Sequence, residues 1–252
     1  MENNSTQYKT HWHSFWFGFM VALSIALTSL LILVITNHIS FDRLAQKNQS
    51  VKTLAEEVDD SESNSLSIEN IVSSVGVDVT TVRTCVLDKK FATKVTEDRA
   101  DATDAGAKGT PHSFVIIGKD IYEIPGAYDE ASVRVLLEDL LSKKTPKDFD
   151  NVAAKVNLNP ITDIDWVKGS VDAQITFIMY SDVDCPYCKQ FHTTIKNIMP
   201  DYEDSVKWVF RHMPADTLHP QAREKAETAE CVGSIGGNDK FWEILDKLFA
   251  QK

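Results

Sequence analysis

A C-P-Y-C motif at residues 185–188 is the feature that most constrains the fold of this 252-residue chain. Directly before it, Gln174–Tyr180 (QITFIMY) has the apolar composition and the length of a buried strand. Directly after it, the sequence up to about Met199 has the pattern of a helix, which Pro186 can begin without losing a hydrogen bond. The motif therefore predicts a strand followed at once by a helix whose first turn carries two thiols.

The position of these thiols predicts redox chemistry. The N–H groups and the dipole of a helix amino terminus stabilise a thiolate, so the pKa of Cys185 should be depressed and Cys185 should attack disulfides. Cys188 lies one turn deeper and would resolve the mixed disulfide, with Pro186 and Tyr187 as neighbours in the active site. The alternative is a structural zinc site that uses His192, but zinc needs a fourth ligand and the sequence has no second C-x-x-C. We therefore expect a catalytic pair that needs no metal and no organic cofactor.

Strands and helices alternate along the rest of the chain without an internal repeat, which predicts an α/β fold. The predicted helices occupy Leu66–Asp104, the segment from the cap Asp129 to Leu141, and the chain after Pro220 with an interruption at Gly233–Asn238. The predicted strands are His112–Gly118, a hairpin partner after a turn at Gly118–Asp120, a short edge strand around Trp166, and Val206–Met213. Residues 142–162 are polar and are predicted to be a linker.

Near the amino terminus, Phe15–Ile35 contains 21 residues without a charge. At a rise of about 1.5 Å per residue, such a helix spans the roughly 30 Å hydrocarbon core of a bilayer. A buried core helix would show a polar stripe, and a signal peptide would have a shorter apolar region and a small-residue cleavage site. We therefore expect an uncleaved transmembrane anchor at residues 15–36, with a cytoplasmic tail at 1–14 and a stalk at 37–65.

The composition excludes two other classes of protein. The net charge is −11, from 37 acidic and 26 basic residues, so the basic surface that nucleic-acid binding requires is missing. Four cysteines are too few for a small scaffold held together by disulfides. We therefore expect a globular domain that binds no nucleic acid.

Two groups of short sequence pieces resemble the two halves of a known family. After residue 162 the pieces are Tyr180-Ser181-Asp182, the C-P-Y-C motif, Phe210-Arg211, Pro214, His219-Pro220, Ala229-Glu230-Cys231 and Lys240-Phe241-Trp242. Before residue 142 they are a helix, Gly109-Thr110-Pro111, a strand, a hairpin through Gly126 and a final helix. Residues 163–249 thus resemble the amino-terminal half of DsbA-like thiol:disulfide oxidoreductases of the thioredoxin superfamily, and residues 66–141 resemble the carboxy-terminal half. Together they cover about two thirds of the chain, and the membrane-anchored bacterial members fit best.

This resemblance implies a thioredoxin-like fold with a helical insertion, and it assigns further residues. Pro111 would be a cis-proline that faces the C-x-x-C pair, and with the Thr110 backbone it would hold a substrate strand by edge pairing. Cys85 and Cys231 would form the second disulfide found in some relatives, and the alternative is two buried free thiols. The family also implies unfolded or reduced secreted proteins as substrates, and re-oxidation by a quinone-linked membrane partner.

The two halves stand in the opposite order from the family. There the C-x-x-C half comes first, whereas here it occupies residues 163–252 and follows the cis-proline half at 66–141. We expect a circular permutation in which Ser142–Thr162 joins the former termini, since about 20 residues can extend by up to ~65 Å. The alternatives are two truncated domains, a domain-swapped dimer and a gene-assembly artefact, but complementary halves without duplication favour permutation.

Five further positions affect the predicted chemistry. Many family members carry a buried glutamate six residues before the first active cysteine, where this chain has Met179. Water or another group, such as Asp182, would then have to exchange protons with the second thiol. Asp184 would slightly raise the pKa of the cysteine beside it. His112 and His212 are expected to be surface histidines of their strands.

These features predict a membrane-tethered thiol:disulfide oxidoreductase that acts on secreted proteins. The charges that flank the anchor do not decide its orientation. The oxidising space that both disulfides require places the catalytic domain outside the cytoplasm. One alternative is a thioredoxin-like binding or holdase module with weak redox activity, which Met179 and the exchanged halves would allow. A less favoured alternative is a glutaredoxin-like reductase, because C-P-Y-C occurs in that family too.

Overall fold

The computed structural model describes residues 68–251 of the chain. The predicted cytoplasmic tail (1–14), anchor (15–36) and stalk (37–65) lie outside the described residues. Between residues 68 and 251, no helix is both long enough and apolar enough to cross a bilayer. This part of the chain forms one structural unit built around a single sheet.

Helices and strands alternate through the described residues, which confirms the predicted α/β class. The helices are α1 (helical at residues 68–74), α2 (Val79–Leu87), α3 (Ala92–Asp104), α4 (Glu130–Leu141), α5 (Pro186–Ile198), α6 (Ala222–Gly236) and α7 (Asn238–Ala250), and a 3-10 turn occupies Met199–Asp201. The strands are β1 (His112–Ile117), β2 (Asp120–Pro125), β3 (Trp166–Lys168), β4 (Ile175–Ser181) and β5 (Val206–His212). Asp129 caps α4 as predicted, since its carboxylate accepts a hydrogen bond from the Ser132 N–H.

The five strands form one sheet in the order β2-β1-β4-β5-β3. β4 and β5 run parallel, whereas the other neighbouring strands are antiparallel. Strand β1, from the segment before residue 142, pairs directly with β4, from the segment after residue 162, and Ser113 lies opposite Met179. The two segments therefore share one sheet. β4 lies at its centre and is covered on both faces, which explains its nearly continuous apolar sequence.

Alternate residues of β4 face two different clusters of buried side chains. Phe177 and Met179 belong to the larger cluster, together with side chains from α4, α5 and α7. Ile178 and Tyr180 belong to a smaller cluster that includes Ala102 of α3. Because successive side chains of a strand point to opposite faces, the helices cover the sheet on both sides.

The predicted linker, residues 142–162, packs along the sheet. Phe149 and Val152 are buried, and the Val152 N–H donates to the Ile121 carbonyl oxygen at 2.7 Å. Asn151 forms a bridge with Tyr122 of β2. This segment thus covers part of the β2 edge, which would otherwise be open to pairing with another chain.

The helical region after Pro220 differs from the prediction at its interruption. We expected a break over Gly233–Asn238, but α6 continues to Gly236, and Gly237 alone separates it from α7. Gly237 has a φ of 87°, a conformation that glycine adopts without strain. Gly233 serves a different purpose, since a Cβ at that position would lie 2.5 Å from Cζ2 of Trp166. That glycine marks close packing of the Trp166 ring on α6 and not the end of a helix.

Candidate active site

The C-P-Y-C motif lies at the predicted junction between a strand and a helix. β4 ends at Ser181, Cys185 immediately precedes α5, and Pro186 is the first residue of that helix. The Cys185 N–H donates to the Asp182 carbonyl oxygen at 3.2 Å, which closes the turn. Both cysteines of the motif are free thiols. Cys185 is 7% exposed and Cys188 is 0% exposed, so the first thiol is the accessible one.

The two thiols differ in their electrostatic surroundings. The pKa of Cys185 is lowered to about 5, chiefly by a hydrogen bond with the Cys188 side chain and further by backbone N–H groups of the first helical turn, although burial opposes the shift. The pKa of Cys188 is raised, first by burial and then by its contact with Cys185. At neutral pH the site therefore holds one ionised thiol and one neutral thiol in contact with each other.

The loop before β1 lies against the first cysteine. The Thr110–Pro111 peptide bond is cis, and Sγ of Cys185 lies 3.5 Å from the Thr110 carbonyl oxygen, although 75 residues separate them. A groove of about 450 Å³ follows this loop. It is lined by Gly106, Lys108, Gly109, Thr110, Pro111, His112, Glu123, Pro125 and Gly126. The structure thus brings Thr110 and Pro111 together with the cysteine pair.

The buried Asp182 and the partly exposed His219 form a pair next to the cysteines. The Asp182 N–H donates to Sγ of Cys188 at 3.4 Å, and its Oδ2 lies 2.8 Å from Nδ1 of His219. The same Oδ2 accepts the Ala215 N–H at 2.8 Å. Sequence reasoning named Asp182 but gave His219 no role. His219 was visible only as part of a His-Pro piece, and nothing in the sequence indicated a contact with a residue 37 positions away.

Asp184 has a cationic partner in the structure. We expected its charge to raise the pKa of Cys185 slightly, and this single contribution stays a prediction, because the net lowering of that pKa comes chiefly from the hydrogen bond with Cys188. In α6, Nζ of Lys225 lies 2.5 Å from Oδ1 of Asp184. Lys225 is buried, so its charge is held at this contact and offsets the carboxylate. Lys225 is a second residue that sequence reasoning missed.

Met179 occupies a fully buried position on β4 within the same apolar cluster as both cysteines of the motif. No carboxylate therefore stands at this position, in agreement with the sequence. The nearest carboxylate in the sequence is that of Asp182, directly after β4. Its oxygens already form hydrogen bonds with His219, Ala215 and Asp184.

The expectation for His112 and His212 is wrong, because both side chains are buried. Nε2 of His112 lies 3.0 Å from Oε1 of Glu123, and burial lowers the pKa of this histidine. Nε2 of His212 lies 3.3 Å from Oε1 of Glu230 on α6. Each strand carrying a histidine is covered on both faces, so alternation along the strand does not bring either ring to the surface.

Cys85 of α2 and Cys231 of α6 are joined in a disulfide, with a Cα–Cα distance of 6.0 Å. α2 belongs to the segment before residue 142, and α6 to the segment after residue 162. The bond therefore crosslinks the helical regions of the two segments.

His192, the residue that a zinc site would have used, is a core histidine of α5. Its Nε2 lies 2.7 Å from Oδ1 of Asp246, and its ring stacks on Phe249 with centroids 4.4 Å apart. Across residues 68–251, no cluster of three or more histidine, cysteine or acidic side chains has an arrangement that would hold a metal ion.

Comparison with known proteins gives a family match for one part of the chain. Residues 162–252 match the sequence model of the family described as Thioredoxin. A solved structure, described as the crystal structure of Pseudomonas aeruginosa DsbA2, is 32% identical, over 37% of this chain and 50% of that chain, with a TM-score of 0.34. This TM-score is too low to bear on the fold.

Several curated relatives are named as transport proteins. Na(+)/H(+) antiporter NhaA 3 of Salinispora tropica is 39% identical over 90 residues, and Na(+)/H(+) antiporter NhaA 1 of Salinispora arenicola is 37% identical over 90 residues. Each match covers 36% of this chain and 13% of the relative, so the chain spans a small part of those proteins. The mixed α/β layers, and the match of the segment that carries the C-P-Y-C motif, identify the fold of this chain as thioredoxin-like.

Proposed function

We propose that this protein is a thiol:disulfide oxidoreductase in which Cys185 is the nucleophile and Cys188 resolves the mixed disulfide. The observation that carries the proposal is the asymmetry of the pair. The accessible Cys185 has a pKa of about 5, whereas Cys188 is buried and has a raised pKa. Such a low-pKa thiol at a helix amino terminus is the microenvironment of a reactive cysteine.

The exchange reaction follows from this asymmetry. In the reducing direction, Cys185 attacks a substrate disulfide, and Cys188 then attacks Sγ of Cys185 and releases the substrate thiol. The oxidising direction runs these steps in reverse. In the oxidised protein, a substrate thiolate attacks Sγ of Cys185, the Cys185–Cys188 bond breaks, and the electron pair and a proton go to Cys188. A second substrate thiolate then attacks the substrate sulfur of the mixed disulfide, and Cys185 leaves as a thiolate. The substrate has lost two electrons as its disulfide forms, and the protein holds them as a dithiol. A low-pKa leaving group accelerates the second step.

Thr110 and Pro111 are proposed to hold the substrate chain next to Cys185. The Thr110 carbonyl oxygen already lies at the Cys185 sulfur, and the groove beside it runs along the loop. An extended substrate segment would use the backbone groups of this loop as a strand uses a sheet edge. Such binding depends on the backbone of the substrate and not on its side chains, so it suits unfolded or reduced secreted proteins as substrates.

We further propose that the domain is a circularly permuted DsbA-like domain. The pairing of β1 with β4 within one chain supports it, as does the contact between Thr110 and Cys185. The segment at residues 142–162 would then be the new connection between the former termini. Its packing along β2 is compatible with that role.

The proposed location is outside the cytoplasm, tethered by the anchor at residues 15–36. The Cys85–Cys231 disulfide supports an oxidising compartment, since cytoplasmic thiols are kept reduced. A quinone-linked membrane partner would then accept the electrons from the dithiol. A membrane-impermeant maleimide, applied to intact reduced cells, should label Cys185. Labelling that needs lysis would place the domain inside and contradict this location.

The activity is tested with a reduced model peptide and with insulin. The wild-type protein in its disulfide form should oxidise the peptide, and Cys185→Ser should abolish this activity. Cys188→Ser, offered a disulfide-bonded peptide, should accumulate mixed disulfides detectable by mass spectrometry, because Cys185 attacks the peptide disulfide and no second thiol resolves the product. A wild-type protein that binds unfolded peptide but neither oxidises peptides nor reduces insulin would be a binding module, and the proposal would be wrong.

A further inference from the structure

The carboxylate of Asp182 is buried next to the thiol pair. Through its backbone, Asp182 contacts both cysteines, at 3.4 Å from Sγ of Cys188 and at 3.2 Å from the Cys185 nitrogen. Its side chain is 0% exposed, and its Oδ1 accepts the Asp184 N–H at 2.8 Å. A buried negative charge close to Cys185 disfavours a thiolate there unless a positive charge offsets it.

His219 is placed to supply that positive charge. Nδ1 of its ring lies 2.8 Å from Oδ2 of Asp182, and its side chain is 23% exposed, so the ring can exchange protons with solvent. The bond to Asp182 is the main cause that raises the pKa of His219 above its usual value. The charge of Cys185 also acts to raise the pKa of His219.

We propose that His219, held in place by Asp182, is the imidazolium that stabilises the Cys185 thiolate, and that both are positioning residues for thiol–disulfide exchange. This inference rests on the proposed function and deepens it. With His219 protonated, the Asp182–His219 pair is neutral. When His219 loses its proton, the buried Asp182 charge is uncompensated and the thiolate becomes less stable.

The other charged groups around His219 have partners of their own. Asp184 is bonded to Lys225 at 2.5 Å. Asp216, in the same loop as His219, contacts two arginines, one from α3 at 2.7 Å and one from α6 at 3.1 Å. Lysine and arginine stay charged through neutral pH, so these groups do not change their charge there. The net charge of the Asp182–His219 pair, in contrast, changes when His219 loses its proton, and the pKa of His219 is raised above its usual value.

The test is the titration of the Cys185 thiol in the reduced full-length chain, followed by alkylation with iodoacetamide and mass spectrometry from about pH 4 to 9. His219→Gln keeps a polar side chain but removes the imidazolium. We expect it to raise the titration midpoint of Cys185 by about one pH unit, and His219→Lys to restore most of that shift. Asp182→Asn keeps an acceptor oxygen for the loop. In this background, His219→Gln should no longer shift the titration midpoint of Cys185.

Lys207→Gln is the matched control for the loss of one positive charge. Lys207 pairs with Thr176 at the far end of the parallel strands β4 and β5. It lies five residues before His212, which pairs with Ser181 at the end of β4 that leads to the motif. This corresponds to about 17 Å at ~3.3 Å per residue. The control should leave the titration of Cys185 unchanged. If His219→Gln fails to fold, His219→Asn, which also removes the imidazolium, gives the same comparison.

Two outcomes separate this inference from the proposed function. If His219→Gln and Asp182→Asn fold as the wild type does and titrate Cys185 as the wild type does, the role of His219 is wrong, whatever the protein oxidises. If the wild-type cysteine pair does not equilibrate with glutathione disulfide, the proposed function is wrong, even where His219 shifts the thiol. An equal shift for Lys207→Gln and His219→Gln would show a general charge effect and would also overturn the inference.

Discussion

Cys185 and Cys188 carry identical side chains three residues apart, and their different pKa values come from position alone. Cys185 lies before the first turn of α5, where N–H groups point toward its sulfur. Cys188 lies inside the helix and is 0% exposed, so desolvation disfavours its thiolate. The residue that can ionise is thus the one that solvent and substrate can reach.

This difference predicts the pH dependence of alkylation. The pKa of Cys185 is about 5, so its thiolate, and with it the alkylation rate, should fall as the pH drops through about 5 and should be near its maximum at neutral pH. Cys188 should stay unreactive over the same range because its pKa is raised. Peptide mapping of the reduced protein after brief alkylation gives both rates. Faster alkylation of Cys188 would reverse the assigned roles.

The Lys225–Asp184 contact makes a second prediction. Lys225→Met removes the charge but keeps a long side chain, and it leaves the Asp184 carboxylate uncompensated beside Cys185. We expect the titration midpoint of Cys185 to rise by about one pH unit. The double variant Asp184→Asn/Lys225→Met removes both charges and should return close to the wild-type value. Identical titration curves for the single variant and the wild type would show that Lys225 does not protect the thiolate.

Sequence reasoning found the reactive residues but not their electrostatic partners. The two thiols of the motif could be predicted because the strand, the motif and the helix are contiguous. His219 lies in a loop, 37 positions after Asp182. Lys225 lies in α6, 41 positions after Asp184. The partner of Asp184 was missed for this reason, since only the tertiary structure brings Lys225 to that carboxylate.

At the scale of secondary structure, Gly233 shows why one helix was placed incorrectly. Glycine lowers helix propensity and often marks a helix end, so the stretch from Gly233 appeared to be a break. In the structure, Gly233 lies inside α6 and allows the Trp166 ring to lie on the helix backbone, where it stacks on Phe241. Tertiary packing therefore outweighs local propensity at this position.

This packing predicts the sign of a substitution. Gly233→Ala should gain about 1 kcal/mol of helix propensity, but its Cβ would lie 2.5 Å from the Trp166 ring. Overpacking of this kind costs about 1–3 kcal/mol, so we expect a net decrease in the free energy of unfolding, measured by denaturant titration. The control is Ser234→Ala, at the exposed next position of α6, which should be neutral or slightly stabilising. A stabilised Gly233→Ala variant would show that the Trp166 ring moves aside without loss.

The other elements followed from local patterns. β4 could be predicted because a central strand that is covered on both faces is apolar throughout, and α4 because a capping aspartate precedes an amphipathic run. The burial of the histidines in β1 and β5 could not be predicted in this way, since a strand pattern does not reveal that a glutamate will lie beside each ring.

At the scale of the whole molecule, the Cys85–Cys231 disulfide joins two segments that are distant in sequence. The sequence separation is 146 residues, so the bond closes a long loop in the unfolded chain. The chain-entropy model assigns roughly 5 kcal/mol to a loop of this length, less any loss from strain. The bond also holds α2 against α6, where the proposed permutation leaves the helical region in two separate pieces.

Removal of this disulfide should therefore lower stability more than it changes chemistry. Cys85→Ala/Cys231→Ala should lower the free energy of unfolding by up to roughly 5 kcal/mol, measured by denaturant titration under oxidising conditions. The alkylation profile of Cys185 should stay close to that of the wild type, because the bond is not part of the thiol pair. An unchanged unfolding curve would mean that the crosslink does not constrain the unfolded chain.

The overall architecture could be predicted because each half carries its own recognisable pieces. Their meeting in one sheet could not be derived from composition or periodicity, since the 57 residues at 118–174 lie between β1 and β4. The anchor, the stalk and the side of the membrane stay predictions, because residues 1–67 lie outside the described part of the chain.

The reduction potential of the Cys185–Cys188 pair tests the central claim most directly. It is measured by equilibration of the full-length protein with glutathione buffers and quantification of the reduced and oxidised forms by mass spectrometry. Because stabilisation of the Cys185 thiolate favours the reduced form, the proposed oxidase function predicts a strongly oxidising value, near the about −120 mV of DsbA. A value near the about −270 mV of thioredoxin would make the protein a reductant and contradict the account.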